Sequence, residues 1–365
     1  MIQQIPKSQL MEYWPYFKGH RFLNPLAQNL AWSKVEGYVD EFENPEVIIF
    51  MCQQWACYLA GNSRSKNLKE FLVKIPEKAF IYTTQDDWEL RLKAHWKYFG
   101  YFPRTELSAQ NLSLQNIRRL LTQLPERYKM KKVDLDVAKQ ILRQKLSDHW
   151  VNAINFIGGP EKFVEEGVGF CILEGNKVIS IVMSFKASVP ITQSMEIDVV
   201  THPDYRGLGL ATLVSAKLIE YCLERGIEPH WDAANQISVR LAKKLGFTDP
   251  EPYRCYYWRE KPWTVSELRK AYDPQVEKGS ESINNLKSEI KSFLVKEHFK
   301  EDRTSLLSRL IKVQGSFDRI LSDVNRFLGT SIVEESDIPQ FKEFRSIIMD
   351  HLKTLNGLRA ELNQD

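Results

Sequence analysis

From Glu196 to Ala211 the chain reads Glu-Ile-Asp-Val-Val-Thr-His-Pro-Asp-Tyr-Arg-Gly-Leu-Gly-Leu-Ala, which is a β-rich run, a turn signal, a loop with two glycines and the start of a helix. That order builds an anion site. The first amides of a helix lack intrahelical partners and stand at the positive end of its dipole, so they favour a phosphate. Gly207 and Gly209 carry no Cβ and let a ligand approach the backbone, and Arg206 adds a planar cation suited to phosphate oxygens. Arg206, Gly207, Leu208, Gly209, Leu210 and Ala211 are therefore candidate phosphate-binding residues. The loop is not a P-loop, because no Gly-Lys-Ser/Thr follows it. Nor is it a complete dinucleotide fingerprint, because the third glycine position holds Thr212.

The elements that must hold this loop belong to a globular chain. Its 365 residues, 43% hydrophobic and 12% aromatic, are enough for two or three cores. Lys and Arg number 50 against 47 Asp and Glu, a net charge of +3, so no dominant field points to nucleic acid or a membrane surface. The start of the sequence does not read as a signal peptide. The longest apolar run, Val47 to Ala60, is interrupted by Gln53-Gln54 and is too short to span a bilayer. The five cysteines, Cys52, Cys57, Cys171, Cys222 and Cys255, form no Cys-x-x-Cys pair. Neither a disulfide framework nor a zinc site is indicated, and a reducing cytoplasm fits. The seven histidines show no His-Glu-x-x-His pattern, so they read as structural or surface groups and no metal is expected.

Patterning divides the chain into an α/β stretch at 1–120, a second α/β stretch at 121–263 and a helical tail at 264–365. In the first, Glu46–Ala60 is strand-like, Asn67–Ile75 helical and Ala79–Thr83 a strand. Thr84-Gln85-Asp86-Asp87 then caps a helix running to about Trp96. Trp88 and Trp96 share one face of that helix and read as core. A polar connection from Ser108 to Lys129 holds a helix at about Leu114–Gln123. Next come a strand at Lys129–Asp134, a helix at Val137–Leu146 and a second helical piece at Trp150–Glu166. Strands at Gly169–Leu173 and Lys177–Phe185 follow, joined by the hairpin signal Glu174-Gly175-Asn176. After the strand Met195–Val200, the loop and a helix to Arg225 lie a strand at Pro229–Asp232, a helix at Asn235–Leu245 and a last strand near Tyr253–Trp258.

This order resembles the GNAT acetyltransferase superfamily over about 120–260. Arg206-Gly-Leu-Gly-Leu-Ala211 follows the fourth strand, and Asn235-x-x-Ser238-x-x-Leu-Ala-x-x-Leu-Gly246-Phe247 follows the fifth. The first motif is similar to the Arg/Gln-x-x-Gly-x-Gly/Ala signature that binds the acetyl-CoA pyrophosphate. The second is similar to the helix, closed by Gly-Phe, beyond the split between strands four and five. Thr201-His-Pro-x-Tyr-Arg-Gly207, Trp231-Asp-Ala-Ala-Asn235 and the preceding α/β stretch resemble, more narrowly, the bacterial zwittermicin-resistance subfamily. The resemblance implies a mixed-sheet GNAT fold, an acetyl-CoA co-substrate and an N-acetyltransferase activity. In that reading the α/β N-terminal domain precedes the GNAT domain and an all-α helical bundle follows it.

Acetyl transfer from a thioester to an amine needs a CoA pocket, an N–H donor at the developing oxyanion, a base for the amine and a proton source for the thiolate. The resemblance places backbone amides of Val199, Val200 and Thr201 along the pantetheine arm and the thioester oxygen. It makes Glu196 the base, because acidic residues on this strand often serve so in the family and apolar walls raise a carboxyl pKa. Asp198, two residues on, would share its face; the competing reading is that both carboxylates line a solvated face. Many members place a tyrosine acid where this chain has Ala242, so Tyr256, with its neighbours Tyr253 and Tyr257, is the substitute, or else water. Asn235 would either contact pantetheine or cap its helix.

The tail carries Leu306, Leu310, Val313, Phe317, Ile320, Val324 and Phe327 at four-three spacing, the seam of a coiled coil or bundle. Ile283–Phe293 and Phe341–Leu362 supply two more helices, and Tyr272–Ser282, with Pro274 and Gly279-Ser280, reads as a linker. A three-helix bundle is the expected form; an open seam would recruit a protein partner or a second copy. The function expected is acetylation of a small-molecule amine, as in detoxification. A protein amine is the next acceptor class, and an acyl-CoA-binding scaffold is the non-catalytic alternative. Aminoacyl transferases that build peptidoglycan cross-links also have two α/β halves, but the CoA-type loop argues against them.

Overall fold

The computed structural model describes residues 2–84, 87–144, 154, 155, 157–295 and 300–363. Parts of three expected elements, the cap at Thr84–Asp87, the end of the helix Val137–Leu146 and the helical piece beginning at Trp150, lie outside them. Contacts gather Met1–Arg91 and Pro103–Cys255 into one compact unit, and Leu92–Phe102 and Tyr256–Asp365 into another.

The first unit opens with β1 (Gln3–Ile5), a 3-10 stretch (Lys7–Phe17), α1 (Leu23–Ala31), β2 (Val35–Val39), β3 (Val47–Cys52), β4 (Ala56–Gly61), α2 (Leu68–Leu72), β5 (Phe80–Thr83), α3 (Asp87–His95) and β6 (Tyr98–Ser108). The run read as one strand over Glu46–Ala60 is a hairpin, β3 paired antiparallel with β4, that turns beside Gln53 at φ 54°. Both strands are buried along nearly their whole length, which is why each reads as an apolar run, on either side of Gln53-Gln54, instead of alternating. Trp88 is fully buried, in keeping with its reading as core.

Then follow α4 (Leu114–Leu121), β7 (Tyr128–Lys132), α5 (Leu135–Gln144), α6 (Pro160–Glu166), β8 (Gly167–Glu174), β9 (Lys177–Phe185), α7 (Val189–Thr192), β10 (Ser194–Glu196), β11 (Asp198–Thr201), α8 (Leu210–Leu223), β12 (Glu228–Ala233), α9 (Gln236–Leu245) and β13 (Thr248–Arg259). Two sheets result. One has nine strands in the order β1-β2-β3-β4-β5-β13-β6-β12-β10, the other four in the order β11-β9-β8-β7. One core lies where Phe170, Ile172 and Val182 meet Leu213, Val214 and Ile219 of α8. A second covers the opposite face of β8 and β9, where Cys171, Ile181 and Met183 meet Val137, Ile141 and Phe163. All five cysteines are buried free thiols.

The expected strand Met195–Val200 is two strands. Met195 and Glu196 pair in parallel with Pro229 and His230, whereas Asp198 to Thr201 pair antiparallel with Met183 to Ser180. Ile197 is the crossover, its N–H donating to the His230 carbonyl at 3.0 Å. Met195, Ile197 and Val199 all pack into the same core, so the alternation continues through the break and leaves no mark of it in the sequence.

The tail is three helices, α10 (Val265–Val295), α11 (Lys300–Leu328) and α12 (Ile338–Asn363). Leu286, Ile290, Leu310, Phe317, Val324, Phe327, Phe341, Phe344 and Ile348 share one buried core, so the seam is used within the bundle. The linker expected at Tyr272–Ser282 is interior to α10. Gly279 is a packing residue there: a Cβ on it would stand 2.7 Å from the Phe317 ring. Trp96 stacks on Trp258 at 5.4 Å within this unit. Among the described residues no helix is long and apolar enough to cross a membrane, and no cluster of His, Cys, Asp or Glu suits a metal ion.

Candidate active site

Three adjacent strands alternate charged and apolar residues: Ser194-Met-Glu196 on β10, Glu228-Pro-His-Trp-Asp-Ala233 on β12 and Arg104-Thr-Glu-Leu107 on β6. Their register pairs Ser194 with Glu228, Glu196 with His230 and Glu106 with Asp232. Paired residues point to one face of a sheet. The polar set therefore gathers on one side, while Met195, Leu107, Trp231 and Ala233 enter the core beneath α8.

On the polar face His230 stands between two carboxylates. Its Nε2 lies 2.7 Å from Glu106 Oε1, and its Nδ1 meets Glu196 Oε2. Each contact needs an N–H, and only the imidazolium has two. Burial alone would neutralise the ring, but Glu196 and Glu106 outweigh it and hold His230 well above the usual histidine range. Burial raises the Glu196 carboxyl above its ordinary range, with His230 pulling the other way. Burial would raise Glu106 too, yet bonds from His230 and Arg21 hold it low. Arg21 Nη1 lies 2.7 Å from Glu106 Oε2, and its other nitrogen meets Glu251.

Beside this group Arg104 Nε donates to Asp232 Oδ2 at 2.7 Å, and the Tyr253 phenol donates to the same oxygen at 2.7 Å. Burial, then the Asp232 charge, push the Tyr253 ionisation upward, so the phenol keeps its proton at neutral pH. Burial also raises the Asp232 carboxyl against the pull of Arg104, and its Oδ1 is buried with no hydrogen-bond partner among the described residues. Phe22 roofs the cluster. Its ring lies 6.4 Å from that of His230 and 4.9 Å from the Arg104 guanidinium carbon. Phe22 is left-handed at φ 55°, a costly conformation for a bulky residue, and its carbonyl is tied to the Tyr58 hydroxyl at 2.8 Å.

The phosphate-type loop follows from β11. This strand is the edge of its sheet, and His202 N–H donates to Ile179 O across the ladder. By antiparallel alternation Asp198 and Val200 bond to β9, while Val199 and Thr201 turn N–H and C=O to the open edge. Thr201 O there accepts from Arg206 Nε at 3.2 Å, while its hydroxyl is paired inward with Ser180 at 2.8 Å. Gly207 and Gly209 sit at φ 83° and 76°, a region that glycine enters without strain. Gly209 is the N-cap of α8, and a Cβ built on it meets nothing within 4 Å. Leu208 is exposed, Ala211 half-buried and Leu210 buried. The unpaired first amides of α8 thus open onto free space behind a cationic side chain.

Of the residues singled out from sequence, Glu196, Val199, Thr201 and Arg206 to Ala211 line this path from the strand break to the loop. Asp198 is the first residue of β11 and pairs in the other sheet, one residue past the crossover from Glu196. Asn235 Oδ1 accepts the Ser238 N–H at 3.0 Å as the cap of α9. Tyr256 is buried on Phe99, ring centres 5.4 Å apart, in the helical unit, while Tyr253 is the tyrosine that reaches the charged cluster. Ala242 is fully buried core. His230, Glu106, Asp232, Arg104 and Arg21 escaped the sequence reading. Polar–apolar alternation over Glu228–Ala233, with Arg104 and Glu106 two residues apart on β6, was the available signal, and histidines without metal spacing were set aside.

Residues 21–256 match the GNAT acetyltransferase family, a span that takes in Arg21, the polar face, the strand break and the glycine loop and leaves the three long helices outside. An uncharacterised N-acetyltransferase of Bacillus subtilis, YdfB, is 28% identical over 232 residues, 60% of this chain and 84% of that protein. The crystal structure of a GCN5-related N-acetyltransferase-like protein from Streptococcus suis superimposes with a TM-score of 0.57 at 25% identity, covering 69% of this chain and 99% of that one.

Proposed function

Since the chain belongs to the GNAT acetyltransferase family and is an acyltransferase, we propose that it moves the acetyl group of acetyl-CoA to the amine of a small molecule, with Glu196 as the proton acceptor. The observation that carries this reading is the change of sheet at Ile197. A part-buried carboxylate thus stands immediately before a strand whose free edge leads to the glycine loop.

Acetyl-CoA, when bound, supplies the activated acyl group. Arg206 and the amides from Gly207 to Ala211 would hold its pyrophosphate, since the helix start is open and positively polarised. The Val199 N–H, turned away from β9, would bond the thioester oxygen as negative charge develops there, and removal of one such donor typically costs about 10²–10³ in turnover. An arriving ammonium would give its proton to Glu196, and the imidazolium of His230 would steady the carboxylate until it does. Tyr253, the protonated phenol in the cluster, is our choice of proton source for the departing thiolate in place of Tyr256. Asn235, with Oδ1 committed to its cap, would reach pantetheine through its amide nitrogen.

A cleft of about 630 Å³ opens on the polar face beside His230 and Glu106. That volume suits a small acceptor, which favours a small-molecule amine over a protein lysine. Within the family we read the chain as of the zwittermicin-resistance type, cytoplasmic and detoxifying. Free-CoA release measured with a panel of small amines, and with lysine peptides as the other arm, tests the proposal. Turnover with small amines is the expected result. Turnover confined to peptides, or acetyl-CoA binding with no release from either arm, would overturn it.

A further inference from the structure

The cleft on the polar face is lined by residues from two sides. Ser194, Glu228, His230 and Glu106 come from β10, β12 and β6, and Trp14, Lys18, Arg21 and Asn24 come from the N-terminal segment. Ser194 and His230 flank Glu196 in the parallel register, so one end of the cleft adjoins the proton acceptor.

The lining carries polar groups that the protein leaves unused. Asn24 is only 2% exposed. Its Oδ1 accepts from Thr192 Oγ1 at 2.8 Å and from Ser194 Oγ at 2.9 Å, and its Nδ2 has no partner among the described residues. That amide nitrogen is a pure donor left over on a cleft-lining side chain whose oxygen is already engaged. What completes it must be an acceptor oxygen. Lys18, exposed on the same segment, also makes no ion pair among the described residues and is a cation that an anion in the cleft would meet. Glu228, equally unpaired among the described residues, sits on the opposite wall beside Ser194 and favours a cation. Arg21, by contrast, is engaged by Glu106 and Glu251. Among the described residues the lining thus offers one cation and one anion without an ion pair, the cation on the same N-terminal segment as the Asn24 donor.

We infer that this cleft is the acceptor pocket and that its occupant is a compact primary amine that also bears a carboxylate, of amino-acid or dipeptide size. This rests on the acetyl-transfer reading above. Lys18 and Asn24 Nδ2 take the carboxylate, and the ammonium faces Glu228 and the Glu196–His230–Glu106 group. The ammonium gives one proton to Glu196 and the free amine adds to the acetyl carbon; as the carbon–sulfur bond breaks, the CoA sulfur takes a proton from Tyr253, and the second proton lost by the nitrogen restores that phenol.

The test uses the full chain, acetyl-CoA and dipeptides with a free carboxylate, glycylglycine first, each against its C-terminal amide. The acids are expected to show kcat/KM at least about tenfold above the amides. Lys18→Gln and Asn24→Asp, the latter keeping an acceptor for the two hydroxyls while repelling an anion, are expected to collapse that preference through KM. Equal use of acid and amide, or a preference that both variants retain, overturns the inference. Should neither series release CoA, the transfer reading fails by itself, and calorimetric titration of the same pairs into the CoA-saturated protein still decides the pocket. Tighter binding of the acid, lost in Lys18→Gln, supports it; equal or absent binding sinks it.

Discussion

His230 Nε2 lies 2.7 Å from Glu106 Oε1, across 124 positions of sequence, and through that bond a strand of the N-terminal half enters the chemistry of the C-terminal half. Arg21 holds the second oxygen of the same carboxylate at 2.7 Å. Glu196 is thus one member of a chain of charges, Glu196, His230, Glu106 and Arg21, whose far end lies near the N-terminus. Sequence ahead of the strand that carries Glu196 therefore contributes Arg21 and Glu106 to the contacts around the proposed proton acceptor.

The first prediction concerns proton transfer. Glu196→Gln should lower turnover by roughly 10²–10⁴, the usual range for a lost general base, with acetyl-CoA affinity retained. In the wild-type chain Glu196 must be ionised to act. Burial raises its pKa, so the acid limb of kcat/KM against pH should lie above the ordinary carboxylate range. Glu106→Gln removes one of the two carboxylates that keep His230 protonated, so the alkaline limb should move to lower pH. A profile unchanged in both variants would refute the arrangement.

The glycine loop offers a second. Gly209→Ala places a Cβ in the open space before α8 and forces φ 76° on a residue that resists it, at a cost of about 1–2 kcal/mol. Arg206→Ala removes the cation. Each should raise the KM for acetyl-CoA by about tenfold or more while altering the KM for the amine little. An equal rise in both constants would point to general damage instead of a lost phosphate contact.

Much of this site was legible in the sequence because its signals are local. The glycine loop, the hairpin at Gly175 and the caps of α8 and α9 each rest on a few adjacent residues with fixed backbone demands. The change of partner at Ile197 was not, because both new neighbours, β12 and β9, tolerate the same alternation. The cluster around His230 joins residues 21, 106, 196 and 230, and a single sequence carries no sign of which charged faces will meet. In the tail, Pro274 and Gly279-Ser280 mimicked a linker. Packing overrode the weak local preference: Gly279 makes room for a ring, and Tyr272 reaches Asp323 at 2.9 Å.

That packing makes a third prediction. In an ordinary helix interior Gly→Ala stabilises by about 0.5–1 kcal/mol. At Gly279 the added methyl would stand 2.7 Å from two carbons of the fully buried Phe317 ring, and overpacking of that kind costs about 1–3 kcal/mol. The clash should win, so Gly279→Ala should lower the melting temperature of the chain. Adding Phe317→Leu should recover part of the loss, giving a positive coupling in the double-mutant cycle. A Gly279→Ala variant more stable than the parent would show that the ring yields freely.

The last prediction follows from His20, which is buried with Nε2 2.7 Å from the Leu59 carbonyl and Nδ1 3.1 Å from that of Phe17. Burial lowers its pKa to about 4, although the two carbonyls favour the charged form. The unfolded chain takes up this proton near the ordinary histidine value of about 6.5, whereas the folded chain holds out until about 4. Stability from this group is therefore whole above about 6.5 and is lost as pH falls, by about 2 kcal/mol between about pH 6.5 and 5. His230 acts in the opposite sense: its raised pKa contributes stability below about 6.5 that is lost as pH rises through the folded value. The two offset each other in the wild-type chain, so the slope must be read by difference. Denaturant unfolding of His20→Gln, which keeps a donor but cannot titrate, should show a loss between pH 7 and 5 about 2 kcal/mol smaller than that of the parent. Parallel curves would mean that His20 is already charged in the fold.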